Sequence, residues 1–202
     1  MNSFEIITER ISRVANALAG LNQDVVYVGG SAVGFYIENP SIRELRPTED
    51  IDCVVQVYSR TQYYALEKQL RGIGFKQSLS IPAPICRWIY DSIVVDIMPS
   101  DEKILGFSNK WFAKGFSEKK PFQLPGKDAP IIYILPLVFF IATKFEAFFD
   151  RGKNDYLGSP DLEDIVTVLD GIRDINLLTN GDSQVSGFVR AYIADSSVFG
   201  CG

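Results

Sequence analysis

Charged residues thread through an apolar pattern of helical period in the opening MNSFEIITERISRVANALAG, which predicts an amphipathic helix over about Glu5 to Leu18 with Gly20 as its stop. DVVYV, Asp24 to Val28, is β-branched and aromatic and reads as a short buried strand ended by Gly29 and Gly30. Ser31 stands where an N-cap would, predicting a helix to about Glu38 that Asn39-Pro40 closes. A polar loop, Ser41 to Glu49, leads into a strand from Ile51 to Val57. A helix over Arg60 to Leu70 follows, stopped by Gly72 and Gly74. Three strands come next, at Phe75 to Leu79, Ile85 to Tyr90 and Ile93 to Met98, with Asp91-Ser92 as a hairpin turn between the last two. From about Leu135 the period becomes helical, with helices at Pro136 to Asp150, Pro160 to Leu169 and Gln184 to Asp195, the second capped by Ser159 ahead of Pro160. The pattern thus divides into a mixed α/β core over residues 1–100 and a connecting hairpin with a helical C-terminal lobe over 101–202. No internal repeat or low-complexity tract interrupts it.

Composition adds bounds to this picture. With 202 residues, 47% of them apolar and 22% charged, the chain is expected to fold as one compact unit with a real core. The most apolar stretch, Ile131 to Ala142, is shorter than the roughly 20 residues a membrane span needs and is broken by Pro136. The N-terminal segment lacks the uninterrupted apolar block of a signal peptide. Cys53, Cys86 and Cys201 are odd in number and form no CxxC pair, so neither a disulfide framework, a disulfide-linked partner nor a zinc site is expected, and a cytoplasmic location fits.

The absence of histidine changes the picture most. Imidazole is excluded as base, nucleophile or metal ligand. Acid-base and metal chemistry must fall to the 25 carboxylates, assisted by lysines and arginines. A net charge of −5 argues against a general nucleic-acid coat and leaves room only for a local basic patch.

Among the carboxylates, Asp50 and Asp52 open an otherwise apolar strand. Alternation places both on one face, where they can hold a single metal ion between them. Alone, such a pair also marks a strand end in solvent. Asp96, inside SIVVDIMP, falls in a strand expected to be largely buried, where an ionised carboxylate costs several kcal/mol unless a cation compensates it. Three acids on two neighbouring strands explain one another as a site for Mg²⁺ or Mn²⁺, hard ions that keep waters and bind substrate phosphates as well. The Gly29-Gly30-Ser31 turn supplies the complement, since glycines let a backbone approach an anion closely. It matches neither GxGxxG nor a P-loop.

Taken together, VGGSAVGFYIENPSIRELRPTEDIDCVVQV and the later VVDIMP resemble the nucleotidyltransferase superfamily, the fold of DNA polymerase β, in which a GG/GS turn opens a helix, a DxD follows on the next strand and a third acid lies on a later one. The resemblance implies an α/β (α+β) fold with a mixed sheet and a helical C-terminal half. It implies that Gly29, Gly30 and Ser31 bind the triphosphate while Asp50, Asp52 and Asp96 hold the metal and carry catalysis, with Asp96 activating the acceptor. IATKFEAFFDRGKNDYLGSPDLEDIVTVLD and the RxTxDID spacing from Arg46 through Thr48 to Asp52 are similar to motifs of AbiEii-type toxin nucleotidyltransferases. That similarity implies catalytic roles for Lys144 and Asp161 and nucleotide contacts from Arg46, Thr48 and Asp164. The implied reaction moves a nucleoside monophosphate from an NTP to an acceptor, an RNA or tRNA end or a protein, with an antitoxin as a possible further partner. A small-molecule acceptor such as an antibiotic, or a catalytically silent nucleotide-binding module on the same fold, are the alternatives.

Read without the family, Lys144 can snorkel outward from its apolar helix, and Asp161 and Asp164 can be ordinary first-turn helix acids. Between Lys103 and Lys127, Lys110, Lys114, Lys119 and Lys120 interleave with Trp111, Phe112, Phe116 and Phe122. Basic residues with aromatics can receive an RNA end. The acids Asp101, Glu102, Glu118 and Asp128 offset that charge, and a solvated hairpin face is the expectation there.

Overall fold

The structure, a computed structural model, describes residues 1–21, 24–80, 82–106, 108–151, 155–179 and 182–194. Asp195, the expected end of the last helix, and Cys201 lie outside the described residues.

Seven strands form one mixed sheet: β1 (Val25–Val28), β2 (Asp50–Val55), β3 (Lys76–Gln77), β4 (Arg87–Tyr90), β5 (Ile93–Pro99), β6 (Lys120–Gln123) and β7 (Ile131–Ile134), in the spatial order β3-β4-β5-β2-β1-β7-β6. The central strands β1 and β2 are antiparallel, β5 runs parallel to β2, and β7 joins β1 in parallel. The hairpin after residue 101 therefore extends the sheet of the first half instead of standing apart from it. Strands at the centre are buried on both faces, which accounts for the continuous apolar runs VVYV and CVV.

Helices α1 (Ser3–Ala17), α2 (Arg60–Gly72), α3 (Glu102–Leu105), α4 (Phe112–Ser117), α5 (Leu137–Arg151), α6 (Pro160–Gly171) and α7 (Ser183–Ile193) complete the fold. Local chemistry sets their ends. Asn2 and Glu5 close a capping box on α1, while Ser59 caps α2 and Ser159 caps α6 by accepting from the Leu162 N–H. Pro136 ends β7's extended run and α5 begins one residue later, so the apolar stretch Ile131 to Ala142 is part strand and part helix. No helix among the described residues is long and apolar enough to cross a membrane.

Two expectations are corrected here. The segment after the glycines is a 3-10 helix, Gly30–Phe35, and not an α-helix to Glu38. Ser31 does not cap it: the Ser31 hydroxyl, fully buried, donates back to the Val28 carbonyl at 3.3 Å. Tight packing explains the short element. A Cβ at Gly34 would come within 2.5 Å of the Phe4 ring, and Glu38 N–H is already bonded to the Gly171 carbonyl at 3.0 Å on α6. The second concerns the lysine and aromatic segment. Trp111, Phe112 and Phe116 are buried in the core instead of lying on the solvated hairpin face expected, and so are not displayed for stacking on a base either. Lys110 and Lys114 stay at the surface, where they pair with Glu146 at 2.5 Å and Asp182 at 2.6 Å.

Candidate active site

The register of the two central strands sets the site. Val28, the last residue of β1, faces Asp52 on β2, so the chain turns at Gly29 directly over the Asp52 carboxylate. Gly29 has φ 68°, and a Cβ added there would overlap that carboxylate. Only glycine provides both the conformation and the room. Asp52 is half-buried and accepts no hydrogen bond among the described residues. Burial, with the neighbouring charges of Asp50 and Asp96, pushes its carboxyl up to about 7, and Lys144 and Arg151 only partly counter this.

Asp96 lies level with Asp52, since β2 and β5 pair with Asp52 opposite Asp96. On the other flank of β5, Asp96 is paired with Arg87 of β4. The Arg87 guanidinium grips Asp96 through Nε to Oδ1 at 2.8 Å and Nη2 to Oδ2 at 2.7 Å, and reaches Asp50 Oδ2 at 2.9 Å. Such a fork is the strong form of an arginine–carboxylate contact. These hydrogen bonds raise Arg87 above its already high ordinary pKa, so it stays charged. Arg87 was not among the residues singled out from the sequence. The Asp91-Ser92 turn carried the signal: counting back through the hairpin from residues 90 and 93 places Arg87 opposite Asp96.

A second ionic cluster lies across the cleft. Lys144 is buried on α5 and donates to Asp161 Oδ1 at 3.1 Å and Asp164 Oδ2 at 2.6 Å, both near the start of α6. It does not snorkel to solvent. Arg46 holds Asp164 from the loop before β2 at 3.2–3.4 Å, and Arg151, at the end of α5, holds Asp161 at 3.0–3.2 Å. Burial alone would raise the Asp161 carboxyl, but Lys144 and Arg151 outweigh it and hold the group below the usual carboxylate range. Asp161 and Asp164 are therefore partners in a buried network rather than solvated helix-start acids.

Between the clusters opens a cleft of about 360 Å³, lined by Gly29 and Asp52 together with Lys144, Arg151 and Asp161. The acids Glu146 and Asp150 of α5 line it as well. Other residues indicated by the sequence lie around this cleft rather than in its wall. Gly30, Ser31, Arg46 and Thr48 line a smaller cavity of about 160 Å³ behind the glycine turn, against the apolar side chains of Ile6 and Ile7. Thr48 donates to Asp50 at 3.3 Å, and a Cβ at Gly30 would come within 2.7 Å of the Arg46 guanidinium. Asp50 and Asp96 sit beyond Asp52, joined by Arg87.

Asp50 and Asp52 suit a divalent cation: two hard oxygen donors on one face, one of them crowded, unpartnered and short of positive charge. Asp96 differs, because both its oxygens are committed to Arg87. Among the described residues no three acidic or thiol side chains converge into a ready-made metal cage. Cys53 and Cys86 are free and buried.

No family model and no curated protein matches the sequence. Among solved structures, the chain is similar to an antigenic nucleotidyltransferase-like protein from Paracoccidioides brasiliensis. The TM-score is 0.55 and the identity 16%, over 96% of this chain and 92% of that one. The chain has a nucleotidyltransferase-like fold. The match spans nearly all of both chains, so the likeness includes the β6–β7 hairpin and the helical half along with the central strands.

Proposed function

We propose that this chain is a metal-dependent nucleotidyltransferase, moving a nucleoside monophosphate from an NTP to an acceptor with release of pyrophosphate. The observation that carries this reading is the crowded, half-buried Asp52 carboxylate pressed against Gly29 in a cleft that Lys144 and Arg151 also line. Asp50 and Asp52 would hold Mg²⁺ or Mn²⁺, whose chemistry is to neutralise triphosphate charge and ease departure of pyrophosphate. Gly29, the glycine of the turn that lines the cleft, lets the backbone lie against the phosphates. Arg151, with its side chain 71% exposed, can turn toward them from the cleft wall while Lys144 stays fixed in the network below. Catalysis in such a site is positioning and charge neutralisation, which suits a chain without histidine.

The finer reading is an AbiEii-type toxin, acting in the cytoplasm on an RNA or tRNA end or a protein and restrained by an antitoxin. What supports it is the convergence of Lys144, Asp161, Asp164 and Arg46, the residues of its late motif and its RxTxDID spacing, into one network. A second reading, a catalytically silent nucleotide-binding module, is favoured by one observation: the Arg87 guanidinium already occupies Asp96 and one oxygen of Asp50.

Incubation with each labelled NTP, Mg²⁺ or Mn²⁺ and either total tRNA or cell extract separates them. The transferase reading expects label on a macromolecule, and none with Asp52→Asn. Nucleotide binding without transfer from any NTP would favour the silent module.

A further inference from the structure

Arg87 poses a question that the transferase reading leaves open. Three carboxylates lie on the neighbouring strands β2 and β5, yet the cation sharing two of them is a protein side chain, placed opposite Asp96 by strand pairing. Its position is built: Arg87 opens β4, at the end away from the Asp91-Ser92 turn, and its guanidinium makes three contacts of 2.7–2.9 Å with Asp50 and Asp96. Asp96 is 7% exposed and has no other cation among the described residues. An ion that recruited Asp96 would have to displace a bidentate guanidinium and leave Arg87 unpaired beside the ion's own positive charge. Like charges at that separation repel strongly in a partly desolvated site.

We propose that Arg87 is a built-in counter-cation that replaces a divalent ion at Asp96, so that the carboxylate cluster takes a single divalent cation, at Asp50 and Asp52, whose affinity Arg87 weakens by sharing Asp50. This rests on the metal-dependent reading above. Asp96 then acts as the anchor of Arg87, a positioning residue, and the strand pair β4–β5 sets how much negative charge is left for the metal. The arrangement gives Asp50 a divided role: Oδ2 belongs to Arg87, while Oδ1, which accepts only from the Thr48 hydroxyl at 3.3 Å, remains for the metal.

The test is Mn²⁺ binding by the whole chain without nucleotide, followed by calorimetry and by electron paramagnetic resonance. The key variant is the double substitution Arg87→Gln with Asp96→Asn. It keeps the shape of the pair, lets the two amides hydrogen-bond, and leaves no buried charge unpaired, so that folding is retained where Arg87→Gln alone can fail. One Mn²⁺ per wild-type chain is expected, bound at least about threefold more tightly by the double variant because the competing guanidinium is gone. Asp52→Asn should abolish binding in both backgrounds. Equal or weaker binding in the double variant, as loss of a metal ligand would give, overturns the inference, and so does a stoichiometry of two in the wild type. In either case Asp52-dependent binding leaves the metal-dependent reading standing. Absence of Mn²⁺ binding in every form overturns both.

Discussion

Two groups of acids face each other across the cleft, and they are balanced in opposite ways. Asp161 and Asp164 are almost fully buried and share Lys144, Arg46 and Arg151, so both carboxylates are matched at each oxygen. Among the described residues Asp50 and Asp96 share one cation, Arg87, and Asp52 has no partner. The contrast separates structure from ligand capacity. A fully matched network spends its charge internally, tying α5, α6 and the loop before β2 together, whereas the cluster with too few cations keeps unspent negative charge at the cleft wall. A ligand cation therefore belongs at the second cluster, the one with negative charge to spare.

Removing Lys144 is the strongest way to break this comparison. If the α5–α6 network is chiefly structural, Lys144→Met should lower stability by about 3–4 kcal/mol, because two buried carboxylates lose their shared cation and keep only one arginine each. Chemical denaturation of wild type and variant reads this directly. A variant as stable as wild type but without transferase activity would instead make Lys144 a purely catalytic cation. From the sequence alone, with Lys144 free to snorkel, packing would be expected to survive the change; its burial between Asp161 and Asp164 reverses that expectation.

Gly29 tests the other side. At φ 68°, a side chain is strained by about 1–3 kcal/mol, and its Cβ would also press on the Asp52 carboxylate. Gly29→Ala should therefore lose stability in that range and, by moving Asp52, weaken Mn²⁺ binding as well. Gly72→Ala, in open space at the end of α2, is the matched control and should do neither. Unchanged Mn²⁺ affinity in a folded Gly29→Ala would detach the glycine turn from the acid pair.

Much of this was legible in the sequence because it depends on short-range periodicity. The alternation in DIDCVV puts Asp50 and Asp52 on one face, the apolar flanks of Asp96 imply a buried strand beside them, and Asp91-Ser92 does turn the β4–β5 hairpin, with φ of 46° and 65°. The helices bearing Lys144 and Asp161 are also where their caps and apolar pattern place them. What escaped depends on packing between distant segments. Nothing local tells that Arg46 will reach Asp164, that Gly34 will be wedged against Phe4 and hold the post-glycine segment in a 3-10 helix, or that Trp111 and Phe116 will be core rather than a stacking surface. Arg87 is the intermediate case, fixed by a hairpin register that the sequence contained.

The smallest expected effect is also the one that most sharpens the comparison, because it reads the unmatched charge itself. The Asp52 carboxyl is held at about 7 in the folded chain against an ordinary value of 3.8, so the metal-free folded state retains a proton that the unfolded chain has released. Stability must then fall as pH rises from about 4 to about 7 and level off above, the reverse of what a matched carboxylate gives. A carboxyl raised that far sets a ceiling of about 4 kcal/mol. Asp52 is only half-buried, and water at the cleft reduces the expected gain in Asp52→Asn to about 1–2 kcal/mol above pH 7. Measured in chelator, the two proteins should be equally stable near pH 4 and diverge in favour of the variant as pH rises. Saturating Mg²⁺ should then stabilise wild type and leave Asp52→Asn where it was, closing or reversing the gap, since only the wild type retains the ligand that links metal binding to folding. A variant less stable than wild type in chelator at pH 8 would mean that Lys144 and Arg151 already satisfy Asp52, and the cluster would no longer be short of a cation.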